Sequence, residues 1–528
     1  MNNIKNQSNN IGIKKTKISL SKSLFFLLII FVSSLIIRLY YLPFDLPLVL
    51  DSQHYFWYAS DMSILKTIPT EYNSHNNLWP SFLSLFFSLD SSNNILNYMN
   101  TQRILSTLIS ALTIFPIFFL CRKFFSNKYS LLGSLFFIFD PRLIMNSLQG
   151  VIEPIYFLIG ILIILFSLSH SKNFYYISFG LAAIFSLLRY EGLLILVPLT
   201  VIYFWKFQIN KKSIFTYSIC ILIFLLVLFP MIDARIQATG QDGIISHFSS
   251  NKELVSETFA GNETGNDKFD IKNSLINTIT FLGWIAIPIW IIFLPYGLFK
   301  YFRKFEQKHG ILLLFSVILI LPALYAYSRD FQETRYLYIL FPLFTVISLY
   351  SIQKIDKIRN FKIIFSLIII GIIFSSIGWL EYKWIDEEYE NEAFILSLKI
   401  REITNGINEF YPESTYFQFI HLDETFTNLR NQINYEHKIF SISQYTYIEE
   451  LLLGEKNNGL THLVIDESQI SNNVRSEFLI EIYNNENNYN FLKKIYDSND
   501  EGFNYKLKVF EINYDLFDEH IKIINKLN

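Results

Sequence analysis

The sequence predicts an α-helical protein that crosses a membrane about eleven times and carries a smaller extracytoplasmic α/β domain at its C-terminus. Three observations support this fold class. Hydrophobic residues make up 51% of the 528 residues and charged residues only 17%, and the mean hydropathy is +0.30. The apolar residues are concentrated in runs close to the roughly 20 residues that a helix needs to cross a bilayer. From Glu381 onwards the sequence is polar to its end.

The transmembrane region is expected at residues 23–380, between an N-terminal tail at 1–22 and the C-terminal domain at 381–528. The first apolar run is too long for a signal peptide and lacks a small-residue cleavage site, so we expect it to be the first transmembrane helix. The predicted spans cover residues 23–42, 103–120, 131–146, 155–168, 175–188, 193–205, 214–230, 275–299, 311–327, 336–350 and 363–380.

Lysine and arginine follow every second predicted span. Lys14 and Lys15 precede the first span, Lys211 and Lys212 follow the sixth, and Arg303 follows the eighth. Loops rich in lysine and arginine stay in the cytoplasm. The pattern therefore predicts a multi-pass protein of the cell membrane, with a cytoplasmic N-terminus and an extracytoplasmic C-terminal domain.

Two long loops, 43–102 and 231–274, are expected on the outer side. The first contains LVLDSQHYFWYASD, which places Asp51 just before four aromatic residues at 55–58. We expect these rings to seat the loop among the lipid headgroups, since aromatic residues are enriched there. The segment NLWPSFLSLFFSL from Asn77 predicts a helix at the membrane surface with its apolar side chains in lipid.

Short helical and strand patterns alternate in the C-terminal region. AFILSLKIREI from Ala393 and EFLIEIYNN from Glu477 have helical spacing. STYFQFI from Ser414, THLVIDES from Thr461 and YKLKVFEINY from Tyr505 are typical of strands. This alternation predicts a Rossmann-like layer. Because the region lacks a glycine-rich phosphate loop, we predict no nucleotide site there.

Ionisable residues recur at the predicted outer ends of the spans, where they are costly and usually face a polar cavity. They include Asp51, Arg103, Glu153, Arg189, Glu191, Glu333 and Arg335. Guanidinium groups bind phosphate through two parallel hydrogen bonds. The set therefore favours a site for a phosphate-bearing lipid, with Arg103, Arg189 and Arg335 as phosphate ligands. The alternative is a set of internal ion pairs, for example Arg189 with Glu191.

Asp51 is the first candidate for catalysis, because a carboxylate at the outer surface can take a proton from an acceptor hydroxyl. Glu153 is the second acid, able to orient the acceptor or to replace Asp51 as the base. We expect Tyr55, Glu191 and Glu333 to contact the acceptor or the sugar. The alternative for Asp51 is an ordinary loop aspartate beside an aromatic belt.

Four segments resemble C-type (GT-C) integral-membrane glycosyltransferases, in particular the protein O-mannosyltransferase and aminoarabinose-transferase branch. The segments are LDSQHYFWYA from Leu50, RLIMNSLQGVIEPIYFLI from Arg142, LLRYEGLLIL from Leu187 and QETRYLYILFP from Gln332. The resemblance implies transfer of a sugar from a polyprenyl- or dolichyl-phosphate donor at the outer face. It implies that Asp51 takes the place of the catalytic aspartate, and that Arg103 and Arg335 match positions that hold the carrier phosphate.

Two departures leave the acceptor open between a protein, a glycan and a lipid. Ser52 stands where many O-mannosyltransferases have a second acid, and an α/β domain stands where the eukaryotic enzymes have a lectin-like domain. A single displacement with one base would invert the anomeric centre. The competing function is a transporter or flippase of a lipid-linked or anionic substrate, although no internal repeat supports it. An accessory membrane subunit without activity is the third class.

Neither the composition nor the motifs indicate a cofactor. The first outer loop has no DxD motif, which disfavours metal-dependent use of a nucleotide sugar, and an auxiliary divalent metal is left open. The only cysteines, Cys121 and Cys220, suggest neither a disulfide nor a metal site. The net charge of −2 and the lack of a basic stripe give no sign of a nucleic-acid partner. The predicted partners are the polyprenyl-phosphate sugar, membrane lipids and the acceptor.

Overall fold

A computed structural model describes most of the chain. The described residues are 19–70, 77–89, 95–244, 271–329, 331–356, 361–404, 409–410, 445–466 and 477–527. The predicted strand from Ser414 and most of the predicted outer loop at 231–274 lie outside them.

Helices build the whole N-terminal part of the described chain. The helices are α1 (Leu20–Tyr40), α2 (Leu50–Leu65), α3 (Leu78–Phe87), α4 (Ile95–Leu112), α5 (Ile114–Arg122), α6 (Asn127–Ile138), α7 (Pro141–Leu148), α8 (Glu153–Ser167), α9 (Asn173–Leu188), α10 (Leu196–Phe207), α11 (Lys211–Thr239), α12 (Ile271–Ala286), α13 (Leu294–Arg303), α14 (Gln307–Leu319), α15 (Leu321–Ser328), α16 (Phe341–Ile355) and α17 (Phe361–Thr404). Two 3₁₀ helices, Tyr190–Ile195 and Thr334–Leu340, lead directly into α10 and α16.

Each predicted span coincides with one of these helices or with two consecutive ones. Among the described residues, seven continuous helical stretches are long and apolar enough to cross a membrane, and eight if the bent pair α6–α7 forms one span. Helices α8 and α9 are apolar but shorter. The predicted α-helical polytopic membrane protein with a small C-terminal sheet is therefore confirmed. The sidedness of its ends stays a prediction.

The bend between α6 and α7 follows from the local sequence. The two helices meet at 51°. Pro141 cannot donate a backbone hydrogen bond, so it is tolerated at the start of a helix but not in its interior. Asp140 caps the new helix, because its carboxylate accepts from the backbone N–H groups of Arg142 and Leu143. The Trp290 indole N–H, 2.9 Å away, donates to the second oxygen of the same carboxylate.

Close helix contacts in the core depend on residues without a side chain. A Cβ atom at Gly297 in α13 would lie 2.3 Å from the carbonyl oxygen of Ile347 in α16. A Cβ atom at Gly133 in α6 would lie 2.8 Å from Cys121 Sγ and 2.9 Å from Leu349. Small residues let helices approach in this way in lipid, where association rests largely on van der Waals packing. The stretch Thr334–Ile355, which contains α16, is the most enclosed of the long apolar helical stretches among the described residues, with 83% of an 18-residue segment buried.

The described part of the first predicted outer loop is largely helical, and the aromatic residues at 55–58 and Trp79 are buried in the protein. Tyr55, Phe56, Trp57 and Tyr58 lie on α2 and are all buried, and Trp79 on α3 is fully buried. Helices α2 and α3 pack against each other, and α3 also contacts α4 and α9. The expectation that these rings sit among headgroups or in lipid is therefore wrong. They form a protein core instead, because two helices and not an open loop carry them.

Helix α17 continues from the membrane region into the C-terminal part. It is one helix of 44 residues, so the boundary predicted between residues 380 and 381 falls inside it. The remaining elements are β1 (Glu409–Phe410), α18 (Ile448–Glu455), β2 (His462–Asp466), α19 (Glu477–Asn484), β3 (Leu492–Asp497), β4 (Leu507–Ile512) and α20 (Tyr514–Leu527). The segments from Ala393 and Glu477 are helical and those from Thr461 and Tyr505 contain strands, as predicted.

The sheet differs from the Rossmann-like layer that the alternation predicts. Its described strands have the order β1-β2-β4-β3. Strand β1 is parallel to β2, whereas β2 and β3 both pair with β4 in the antiparallel direction. The expectation of a parallel layer is wrong because β3 returns directly into β4 through a short turn that ends at Gly502. Such a connection joins antiparallel neighbours, whereas a parallel pair needs a longer crossover.

The C-terminal sheet is attached to the end of α17. The Glu392 carboxylate accepts from the backbone N–H groups of Asn504 and Tyr505 at 2.7 and 2.8 Å. Ile400 and Val509 belong to the same buried cluster as Tyr55 and Trp57. One hydrophobic core therefore connects the sheet, the end of α17 and the helix that carries Asp51.

Candidate active site

Asp51 lies in the first turn of α2 and is only partly covered. Its side chain is 52% exposed, and Arg335 Nη2 lies 2.6 Å from Asp51 Oδ2. The preceding residue, Leu50, has a φ of +51°, and Val49 before it is extended. A carboxylate in the first turn also interacts favourably with the positive end of the helix dipole. Asp51 is thus an accessible acid held on one side by a guanidinium group.

Arg335 stands near the start of the 3₁₀ helix Thr334–Leu340 and faces three carboxylates. Besides Asp51, Glu333 Oε2 lies 3.4 Å from Arg335 Nε and Glu153 Oε1 lies 3.7 Å from Arg335 Nη1. Glu333 is 53% exposed, whereas Glu153 is 4% exposed. Arg335 therefore contacts two exposed carboxylates, Asp51 and Glu333, and one buried carboxylate, Glu153.

Glu153 and Arg189 form the buried side of the site. Glu153 begins α8, and its Oε1 lies 3.1 Å from Arg189 Nη1. Arg189 follows α9 directly, and its Nη2 lies 3.2 Å from Glu191 Oε1. The guanidinium carbon of Arg189 is 5.6 Å from the ring centre of Tyr336 and 6.0 Å from that of Tyr156. The aromatic faces add a favourable cation–π interaction to the ion pairs.

Six of the eight predicted site residues thus form one connected group, which we call the acidic cluster. Its members are Asp51, Glu153, Arg189, Glu191, Glu333 and Arg335. The internal pair of Arg189 with Glu191, named as the alternative interpretation, does form. Four carboxylates face two guanidinium groups, so the cluster carries an excess of acid when all members are ionised.

Two oxygens in the acidic cluster are buried without a hydrogen bond from any described residue. They are Oε2 of Glu153 and Oε2 of Glu191. Buried polar atoms are nearly always hydrogen-bonded, so exceptions require an explanation. Both oxygens lie on acids whose other oxygen binds Arg189. They are acceptors that a hydroxyl group of a bound sugar can satisfy.

Among the described residues, the ion pairs that join the acidic cluster do not include Arg103, which binds backbone carbonyl groups instead. Its Nη1 donates to the carbonyl oxygen of Leu46 at 2.5 Å, and its Nη2 donates to that of Pro47 at 2.9 Å. The structure therefore connects Arg103 to the chain before Asp51. The role of Arg103 as a phosphate ligand stays a prediction.

Tyr55 lies one helical turn after Asp51 and is buried. Residues four apart share a helix face, so Tyr55 lies behind Asp51. Its contact with the acceptor or the sugar stays a prediction.

The sequence alone did not single out Gln102, Tyr156 or Tyr336. Gln102 Nε2 donates to the carbonyl oxygens of Ser52 at 2.9 Å and Gly150 at 2.8 Å. It therefore links the turn of Asp51 to the turn that precedes Glu153. Its position directly before Arg103 was the one available signal. Tyr156 and Tyr336 resemble any other aromatic residue in an apolar span.

Among the residues that the structure describes, no group of three or more histidine, cysteine, aspartate or glutamate side chains has an arrangement suited to a metal ion. The question of an auxiliary metal stays open. Cys121 and Cys220 are both buried and free.

Comparison with solved structures identifies the fold, whereas comparison of the sequence with known families does not. No protein-family model and no curated protein matches the chain. The crystal structure of ArnT from Cupriavidus metallidurans bound to undecaprenyl phosphate matches at 11% identity and a TM-score of 0.53, over 92% of this chain and 97% of ArnT.

An oligosaccharyltransferase from Archaeoglobus fulgidus, in its apo form, also matches. The identity is 11% and the TM-score 0.53, over 84% of this chain and 69% of the enzyme. Both solved proteins are C-type glycosyltransferases. The chain therefore has the fold of C-type integral-membrane glycosyltransferases.

Proposed function

We propose that this protein transfers a sugar from a polyprenyl- or dolichyl-phosphate carrier to an acceptor at the outer membrane surface, with inversion at the anomeric carbon. The observation that carries the proposal is the pairing of an accessible carboxylate, Asp51, with Arg335 in a membrane protein of this fold. The crystal structure of ArnT contains bound undecaprenyl phosphate, which supports a lipid-phosphate ligand. The acceptor is a protein, a glycan or a lipid.

The carrier phosphate binds at Arg335 and Arg189. Both guanidinium groups already contact carboxylates, so an anion must replace one of them. Asp51 and Glu333 are both about half exposed, whereas Glu153 is buried, and of the two exposed acids Asp51 is the one bound to a terminal nitrogen of Arg335. The phosphate therefore takes the place of Asp51 at Nη2 of Arg335. The exchange keeps the arginine paired and leaves the Asp51 carboxylate available.

Asp51 then acts as the general base. The acceptor oxygen forms a bond to the anomeric carbon while the bond from that carbon to the phosphate oxygen breaks. The acceptor proton goes to Asp51, and the electron pair leaves with the carrier phosphate. Arg335 and Arg189 stabilise the charge on this leaving group, as preorganised cations do in other transfer reactions.

Glu153 positions the two arginine side chains from the buried side of the site. With a side chain that is 4% exposed and shared between Arg189 and Arg335, it is poorly placed to meet an acceptor. It holds the two cations at a fixed separation. Displacement of Asp51 opens the site, so that the second oxygen of Glu153 and that of Glu191 accept hydrogen bonds from the sugar. Glu333 is exposed and lines the route to the acceptor, whereas Tyr55 packs behind Asp51.

The test uses purified protein in lipid vesicles with radiolabelled polyprenyl-phosphate sugars and a membrane extract as the source of acceptor. We expect label to move from the carrier to a product with the inverted anomeric configuration. A flippase would move the intact labelled lipid between leaflets without breaking the sugar–phosphate bond. Label that changes leaflet but stays on the carrier would therefore replace the proposal with transport.

A further inference from the structure

Leu50 adopts a backbone conformation that is unusual for its residue type. Its φ is +51°, in the left-handed region that side chains with a Cβ atom rarely adopt. Its own side chain is 74% exposed and supplies little packing to hold this conformation. Strained residues of this kind persist where neighbouring structure determines them, often at functional sites. The next residue along the chain is Asp51.

Hydrogen bonds from α4 hold the chain on both sides of Leu50. Before it, Arg103 binds the carbonyl oxygens of Leu46 and Pro47 at 2.5 and 2.9 Å. After it, Gln102 binds the carbonyl oxygen of Ser52 at 2.9 Å. Gln102 is fully buried and Arg103 is 4% exposed, so water competes little for these bonds. The turn is therefore fixed at both ends by two consecutive residues.

The same amide group reaches the other acid of the site. Gln102 Nε2 also donates to the carbonyl oxygen of Gly150 at 2.8 Å, three residues before Glu153. Gly150 has a φ of +73°, and a Cβ atom there would lie 3.2 Å from Gln102 Cγ. One side chain thus sets the turn of Asp51 and the turn of Glu153 relative to each other.

We infer that Gln102 and Arg103 are positioning residues that fix the backbone of Asp51 near Arg335 through the strained turn at Leu50, while the carboxylate itself stays free to leave the guanidinium group. This inference rests on the proposed function and assigns Arg103 a different task from the phosphate binding predicted from the sequence. A general base must lie within hydrogen-bond reach of the proton that it takes. A displacement of 1 Å can cost about 10²-fold in rate. The two residues prevent such a displacement without contacting the substrate.

The main test separates the turnover number from the donor KM. Gln102→Leu keeps the bulk of the side chain and removes both hydrogen bonds. We expect kcat to fall about 10- to 100-fold, while the donor KM changes by less than about three-fold, since the phosphate ligands are untouched. Arg103→Lys keeps the positive charge but loses the planar pair of donors, so we expect a smaller fall in kcat for this variant. A rise in donor KM for Arg103→Lys with an unchanged kcat would instead support Arg103 as a phosphate ligand and overturn the inference.

A second series tests the backbone without disturbing the core. Leu50→Val adds a β-branched side chain that disfavours a positive φ, whereas Leu50→Gly tolerates it. We expect kcat to fall several-fold for Leu50→Val and to fall less for Leu50→Ala and Leu50→Gly. Lys66 provides the matched control, because it lies at the other end of α2, is exposed and has a φ of +59°. Lys66→Val should leave kcat unchanged.

Hydrogen exchange gives a readout that does not depend on transfer. In Gln102→Leu, the backbone amides from Val49 to Gln53 should exchange faster, while those in the second half of α2 should not change. Unchanged exchange at these amides, or equal kcat for Leu50→Val and Lys66→Val, would overturn the inference. Absence of transfer by the wild-type protein would count against the proposed function alone, and the exchange experiment would still decide the positioning role.

Discussion

Two polar clusters lie at opposite ends of α16 and its 3₁₀ extension, and they differ in how completely their side chains are hydrogen-bonded. The acidic cluster includes Arg335 at one end. At the other end a second group, which we call the histidine cluster, consists of Glu306, His309, Tyr301 and Tyr350. Tyr350 follows Arg335 by 15 residues, which corresponds to roughly 22 Å of helix.

Among the described residues, no buried side-chain nitrogen or oxygen of the histidine cluster lacks a hydrogen-bond partner. The backbone N–H of Glu306 donates to His309 Nδ1 at 2.9 Å, and His309 Nε2 lies 2.6 Å from the Tyr350 hydroxyl. Because Nδ1 accepts, the neutral ring carries its proton on Nε2 and donates it to Tyr350. The Tyr301 hydroxyl donates to the His309 carbonyl oxygen. Such a network caps the start of helix α14 and pairs the buried side chains of the cluster with one another.

The acidic cluster has the opposite properties. Its carboxylates outnumber its guanidinium groups, two buried oxygens accept no hydrogen bond from the described residues, and Asp51 and Glu333 are about half exposed. Both clusters are buried polar groups in an apolar protein, so polarity alone does not indicate function. The difference lies in incomplete pairing, which leaves acceptors and a movable carboxylate for a substrate.

The largest effect is expected for Asp51→Asn. The substitution keeps the size of the side chain and removes its basic oxygen. Loss of general-base catalysis should slow transfer about 10²–10⁴-fold. The transfer rate is measured with saturating labelled donor, and binding of a non-transferable donor analogue serves as the control. Near-normal transfer would remove Asp51 as the base and direct attention to Glu153.

The next effect concerns the planar fork of Arg335. Arg335→Lys keeps the charge but cannot pair with several oxygen atoms in fixed geometry. Loss of one charge-assisted hydrogen bond costs about 1.5–3 kcal/mol, which corresponds to about 10- to 150-fold in donor affinity. Analogue binding to detergent-purified protein measures it. Unfolding of Arg335→Lys in detergent, without a selective loss of binding, would make the ion pairs structural.

Tyr350→Phe probes the cluster that we regard as structural. It removes one hydrogen bond to His309 and should destabilise the fold by about 0.5–1.5 kcal/mol. Transfer per folded molecule should not change, because the site lies at the other end of the helix. Thermal unfolding and kcat are measured on the same preparation. A drop in kcat at unchanged stability would break the distinction between the two clusters.

The smallest effect is expected in the C-terminal domain, at partly exposed ion pairs. Hydrogen bonds from Lys494 and Lys508 lower the pKa of Glu486, and burial lowers the pKa of His462. Groups with a depressed pKa in the folded state bind fewer protons there than in the unfolded state, so stability falls as the pH decreases. The His462 contribution is lost below its ordinary value of 6.5, and that of Glu486 below 4.5.

Proteolysis of the full chain at pH 7.5 and at about pH 4, with a protease active at both, measures this loss. Cleavage within residues 445–527 should increase in acid, and Glu486→Gln should reduce the increase. Slower cleavage in acid would contradict the sign of both shifts.

The membrane fold could be predicted from the sequence because its main determinant is local. A run of apolar residues long enough to cross a bilayer is visible in the sequence. The span predicted at 131–146 runs across the bend at Asp140 and Pro141, which proline chemistry explains but which we did not predict. The burial of Trp57 and Trp79 could not be predicted in this way. An aromatic residue in a protein core and one in a headgroup belt have the same composition, and only the packing of α2 on α3 distinguishes them.

From the sequence we could predict that the ionisable residues of the acidic cluster lie near one another and that Arg189 pairs with Glu191, but not their other contacts, and their roles in catalysis stay predictions. Charges at the ends of apolar spans identified Asp51, Arg189 and Arg335, because burying a charge in a membrane protein is costly. Whether Arg335 binds Asp51, and whether Arg103 binds backbone carbonyl groups, depends on contacts between distant segments. The direction of the strands in the C-terminal sheet likewise depends on how the strands are connected, which the alternation of helices and strands in the sequence does not show.

The most direct test of exchange at Arg335 is the affinity for undecaprenyl phosphate of three proteins: wild type, Asp51→Asn and Arg335→Lys. If the carrier phosphate replaces Asp51 at Arg335, Asp51→Asn should bind the carrier as tightly as the wild type or up to about five-fold more tightly, since a competing ion pair of at most about 1 kcal/mol is lost. Arg335→Lys should bind about ten-fold or more weakly. Equal weakening in Asp51→Asn and Arg335→Lys would contradict the exchange and would mean that Asp51 itself organises the phosphate site.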